Sequence, residues 1–113
     1  MKIGFIGLGN AGGKLAGSIL RNGYDLTVRD LNQEFVTDFV SRGATQANSA
    51  KELAQKCDVI ITCLPSPKAC SRVMEAADGV LAGISAGKIW LEMSTTDEAE
   101  IRRIAALVEA KGA

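Results

Sequence analysis

The sequence predicts an α/β fold: an open, doubly wound sheet of parallel strands with helices on both faces. Three observations predict it. Short apolar runs alternate with helical patterns along the whole chain, as parallel strands require, because their connections must cross over the sheet. The run Val59-Ile60-Ile61-Thr62-Cys63-Leu64 reads as a strand buried on both faces. The 113 residues, 47% of them hydrophobic, suffice for one packed domain and show no linker, repeat or low-complexity tract.

The first strand is expected over Lys2 to Ile6, ending at Gly7 and Gly9. Leu15, Ala16, Ile19 and Leu20 then recur at helical spacing until Asn22-Gly23 stops the helix. Tyr24 to Asp30 reads as the second strand. Phe35, Val36, Phe39 and Val40 give the apolar stripe of a second helix, closed by Gly43. A short third strand is placed around Ala44 to Ala47. Ser49 with Glu52 three residues on forms a capping box opening a brief helix. The fourth strand, Asp58 to Leu64, ends at Pro65, which cannot continue a central ladder. Ser66-Pro67 supplies an N-cap and first helical position, with Cys70, Val73, Met74 and Ala77 as the buried stripe. Lys88 to Met93 reads as the fifth strand. A last helix begins near Asp97, its acidic first turn matching the positive helix end.

Composition excludes several classes of function. Thirteen basic and thirteen acidic side chains cancel, which leaves no electrostatic footprint for nucleic acid or an anionic membrane. The absence of histidine removes the commonest acid–base group and metal ligand. Cys57, Cys63 and Cys70 form no Cys-x-x-Cys pair, and each reads as a small buried hydrophobe in a reducing compartment. No stretch reaches the ~20 apolar residues of a membrane helix. The expectation is a soluble, cytoplasmic protein.

Gly7-Leu8-Gly9-Asn10-Ala11-Gly12 satisfies G-x-G-x-x-G, directly after a strand and opening a helix. Gly7 allows the tight turn, Gly9 lets backbone approach a pyrophosphate, and Gly12 lets helix pack on strand. The helix N-terminus offers free N–H groups and partial positive charge. Asp30, at the end of the second strand, stands where a carboxylate can accept hydrogen bonds from an adenosine ribose. The alternative is a solvated strand-end aspartate beside an ordinary turn. A P-loop is excluded by Leu8 and Leu15, where that motif needs Gly and Ser or Thr. The fold class is therefore a Rossmann-type sheet.

The segment Gly4 to Gly12, with Cys63-Leu64-Pro65 and Met93-Ser94-Thr95 downstream, resembles the β-hydroxyacid dehydrogenase family. That family includes 3-hydroxyisobutyrate dehydrogenase and, more distantly, 6-phosphogluconate dehydrogenase. The resemblance spans essentially the whole chain. It implies that Leu64 and Pro65 lie along the cofactor, and that Ser94 and Thr95 lie near nicotinamide and substrate. Thr95 or Thr96 can equally serve as the N-cap of the last helix. Ala11, Glu92 and Glu98 depart from the family's usual residues. In the family, a sixth strand and an all-helical domain carrying the catalytic lysine follow; none of the chain's own lysines matches it. The resemblance thus implies a cofactor-binding domain, truncated before the sixth strand and the helical domain.

NAD is the expected cofactor and NADP the second choice, because Asp30 would repel a 2′-phosphate and Leu31 stands where NADP-dependent members carry Arg. Arg29, by strand alternation, is expected to point away from Asp30's face. The expected substrate of the full enzyme is a small hydroxy acid, and this chain alone is expected to be inactive. The competing reading is a non-catalytic nucleotide- or partner-binding module on the same fold. The exposed fifth strand predicts self-association, most simply a homodimer.

Overall fold

A computed structural model describes residues 1–94 and 97–113. Five strands form one parallel sheet in the order β3-β2-β1-β4-β5: β1 Lys2–Ile6, β2 Asp25–Arg29, β3 Thr45–Gln46, β4 Val59–Thr62 and β5 Ile89–Glu92. Six helices connect or follow them: α1 Asn10–Arg21, α2 Gln33–Ser41, α3 Ala50–Lys56, α4 Pro67–Glu75, α5 Val80–Gly83 and α6 Glu98–Ala110. The order reverses at β1, with β2 on one side and β4 on the other. A ligand crevice forms at such a reversal, because neighbouring crossovers leave to opposite faces.

Two apolar layers hold the sheet. On one face Ile6 and Ile60 pack against Leu53 of α3, Met74 of α4, Val80 of α5 and Ile104 of α6. On the other, Phe5, Val28 and Ile61 pack against Ala16 of α1 and Val36 and Phe39 of α2. Four helices cover the first face and two the second. The β4 and β5 end of the second face is therefore the less covered.

Side-chain caps fix most helix starts. Asn32, Ser49, Ser66 and Asp97 each accept a hydrogen bond from a first-turn N–H, of α2, α3, α4 and α6 respectively. The capping box is half formed: Ser49 Oγ accepts from Glu52 N at 3.0 Å, while the Glu52 carboxylate pairs with Lys56 instead.

Several boundaries shorten. Tyr24 lies outside β2 and is half exposed, because the β1–β2 pairing begins at Asp25 opposite Lys2. β3 keeps two paired residues, β4 stops at Thr62 and β5 spans four. Ala77 is not in the α4 stripe: the helix ends at Glu75, and the chain turns into the short helix α5, which has too few residues to show a period. Leu15, Phe35 and Val40, expected on buried stripes, are exposed at 39–42%. Cys57 and Cys70 are fully buried as expected, but Cys63 is half-buried because it leaves the sheet at the open end of β4.

Candidate cofactor site

A cleft of about 690 Å³ opens at the carboxyl ends of β1, β2 and β4, a size that fits a small-molecule ligand. Its floor is set by backbone pairing. Gly7 N–H donates to Arg29 O at 3.1 Å and Cys63 N–H to Ile6 O at 2.9 Å, extending the ladders one residue beyond the strands.

The three motif glycines have different reasons to be glycine. Gly7 has φ +102°, and a Cβ there would lie 2.1 Å from Cys63 O. A Cβ on Gly12 would lie 1.9 Å from Gly7 O, so α1 seats directly on the turn. Gly9 has an ordinary φ of −67°, and a Cβ there would meet nothing within 4 Å. Nothing within the chain requires glycine at position 9. It lines the cleft, together with Asn10 and Ala11.

Gly9 also begins α1 without a side-chain cap, and no acid stands in the first turn. The first intrahelical acceptor used is Gly9 O, by Gly13 N–H at 2.6 Å. The earlier N–H groups have no intrahelical partner, and with the helix dipole they present positive potential. This donor set fits an anionic pyrophosphate.

Asp30 lines the same cleft and braces the loop. Leu8 N–H donates to its Oδ2 at 2.6 Å and Asn32 N–H to its Oδ1 at 2.8 Å. A carboxylate has about four acceptor positions, so capacity remains for a ribose hydroxyl. Leu8 itself does not line the cleft: its side chain is buried under α1 and α2, and its amide is committed to Asp30. Arg29 departs from expectation. Alternation does send it to the opposite face, where it donates to Asn48 O at 3.0 Å, yet it still lines the cleft, which takes residues from both faces at the carboxyl end of the sheet.

Leu64 and Pro65 form part of the cleft wall. Ser94 lies behind that wall: its Oγ accepts from Leu64 N–H at 2.6 Å, and its own N–H donates to Glu92 Oε1 at 2.6 Å. The other Glu92 oxygen accepts from the Cys70 thiol at 2.7 Å. Burial, reinforced by Glu92, pushes the Cys70 pKa up to about 12, so this thiol keeps its proton. Ser94 thus ties the end of β5 to the cleft turn. Thr95 lies outside the described residues.

Sequence reasoning missed the α4 side of the wall and Phe35, having placed Leu31 beside the cofactor. Ala69, Arg72, Val73 and Ala76 turn one face of α4 toward the cleft at i, i+3, i+4 and i+7 spacing. Leu31, 93% exposed, and Phe35 form the wall beside Asp30. The sequence carries no signal for Phe35, whose apolar side chain reads as part of the buried stripe of α2. Among the described residues, the charged lining groups are Arg29, Asp30, Arg72 and Asp78, and no lysine lines the cleft.

The family model for the NAD binding domain of 6-phosphogluconate dehydrogenase matches residues 2–113. The chain belongs to this family. It is 36% identical to mouse mitochondrial 3-hydroxyisobutyrate dehydrogenase over 98% of its length, covering 33% of that protein. It is 32% identical to the cytokine-like nuclear factor N-PAC of Xenopus tropicalis, again over 98% of its length but 21% of the relative. The solved structure of Mycobacterium tuberculosis 3-hydroxyisobutyrate dehydrogenase with L-serine superposes with a TM-score of 0.89 at 27% identity, over 98% of this chain and 37% of that one. The chain spans about a third or less of the length of these relatives. Family membership makes it an NAD-binding domain, in agreement with the resemblance read from the glycine loop.

Proposed function

We propose that NAD binds in this cleft, with its pyrophosphate on the N-terminus of α1 and its adenosine ribose on Asp30. Gly7, Gly9, Asn10, Ala11 and Gly12 form the phosphate loop in this reading, and Leu64 and Pro65 lie along the cofactor. Ser94 acts by holding the Leu64 amide; Thr95 is assigned to the substrate side on the resemblance alone. Leu8 contributes through the fold of the loop. The observation that carries the reading is Gly9, whose missing side chain no internal contact explains and which leaves backbone open to the cleft.

Within a longer protein, the proposed role is cofactor binding for a 3-hydroxyacid oxidoreductase. The bound nicotinamide supplies hydride chemistry there, and this chain's residues bind and orient it. The histidine-free sequence and the absence of lysine from the cleft lining leave no strong acid–base candidate among the described residues. The 113-residue chain alone should therefore show no turnover of 3-hydroxyisobutyrate with NAD, measured by nicotinamide absorbance. A second reading, a non-catalytic binding module, is favoured by the relative that is named a nuclear factor rather than a dehydrogenase. We place the protein in the cytoplasm on its cysteine usage, although the mouse relative is mitochondrial.

Titration calorimetry tests the cofactor reading. NAD should bind more tightly than NADP, since Asp30 repels a 2′-phosphate, Leu31 supplies no cation, and the neighbouring Arg29 is held by Asn48 O. Gly9→Val should lower NAD affinity by at least about 100-fold, near 2.7 kcal/mol, with an unchanged melting temperature. Wild-type affinity in the variant would remove the loop from the site.

A further inference from the structure

Arg72 is the cleft's guanidinium without a partner. Arg29 donates to Asn48 O, and both oxygens of Asp30 accept backbone amides. Arg72 is exposed and makes no ion pair or side-chain hydrogen bond among the described residues. It lies on the cleft-facing stripe of α4 between small residues, Ala69 and Ala76, with Val73 beside it. Leu31 and Phe35 give the cleft a second apolar wall, from the α2 side. Apolar walls carrying one unpaired planar cation suit a flat, neutral, π-rich group better than a phosphate. An arginine plane stacks on such a ring and retains its charge interaction with the π face.

Resting on the cofactor reading above, we propose that Arg72 reads the adenine of the dinucleotide by laying its guanidinium on the base. The role belongs to this side chain and needs no change in the phosphate loop. Because Arg72 is exposed and supports no other residue, its replacement leaves the core intact.

The test is titration of the 113-residue chain with ADP-ribose, which carries adenine and pyrophosphate but no nicotinamide. Arg72→Ala should weaken binding about tenfold, the upper range for such stacking, with unchanged melting temperature. Arg72→Lys should recover little of the loss, and the ratio of wild-type to Arg72→Ala affinity should stay constant between 50 and about 300 mM salt, where screening separates stacking from charge pairing. Full rescue by lysine, or a ratio that collapses with salt, would show that Arg72 acts as a point charge on phosphate and would overturn the proposal. Unchanged affinity in Arg72→Ala would overturn it too, and in both cases tight wild-type binding leaves the cofactor reading standing. If wild type does not bind ADP-ribose, both fall.

Discussion

A methyl group added at Gly12 would collide with Gly7 O, whereas one added at Gly9 would meet only open cleft. The motif spacing already separates the two, giving Gly12 to helix packing and Gly9 to the pyrophosphate, and the folded neighbours agree with that division. The three cysteines were not so separable. Composition makes them alike, yet Cys70 is enclosed and held protonated beside Glu92, while Cys63 lines the cleft. Burial raises the Cys63 thiol as well, with Glu92 adding to it, but half exposure leaves it within reach of reagents. Thiolate fraction and access govern reactivity. Alkylation at pH 8 followed by peptide mass spectrometry should therefore label Cys63 first and leave Cys57 and Cys70 unlabelled in the folded chain. Saturating NAD should slow the labelling of Cys63 several-fold. Equal labelling of Cys70 would mean that the α4–β5 contact opens readily.

At the scale of elements, every strand and five of the helices were legible among the described residues, with shortened bounds, and the short helix α5 was not. α6 begins one residue after the Asp97 cap, as its acidic first turn foretells, and Asp97 Oδ1 accepts from Ala99 N–H at 2.9 Å. β3, expected around Ala44 to Ala47, pairs over Thr45–Gln46, whereas the four residues of α5 are too few for a period and its place is set by neighbours. The cleft face of α4 escaped because Ala69, Arg72, Val73 and Ala76 overlap the buried stripe of Cys70 and Met74 and include a charge. An unforeseen ion-pair network joins α4 to α6: Arg103 binds both Glu75 and Glu100, and Ser71 Oγ donates to Glu100 at 2.8 Å. These bonds, led by Arg103, hold the Glu100 carboxyl down at about 2 and lower that of Glu75, against an ordinary value of 4.5. A folded-state value below the unfolded one contributes stability that is full above about 4.5 and is lost as pH falls toward 2. Arg103→Ala should thus lower the urea midpoint at pH 7 modestly, as exposed pairs do. The difference should shrink through this range and vanish below pH 2. A difference that persists there would assign the effect of Arg103 to packing of its stem instead.

For the whole molecule, the alternation of patterns foretells a parallel sheet covered on both faces, and the fold adds an unequal covering. Only α1 and α2 pack on the second face, which leaves Ile89, Leu91 and Met93 of the β5 region exposed at 59, 44 and 45%. A groove of about 460 Å³ runs there between α1 and β5, lined by Leu15, Ile19, Tyr24, Leu91 and Met93. β5 is also an edge strand, bonded only to β4. An edge that carries apolar residues on its open face is poorly protected against pairing with another chain. Two copies related by a two-fold axis through Trp90 would set Ile89 opposite Leu91, so the antiparallel register is self-complementary in its apolar pattern. Sedimentation of the 113-residue chain from micromolar to high concentration should show a monomer–dimer equilibrium. Leu91→Lys, which sets a charge opposite the apolar Ile89 of the other copy, should shift it toward monomer. A monomer at every concentration would mean that twist or side-chain cover already blunts the edge.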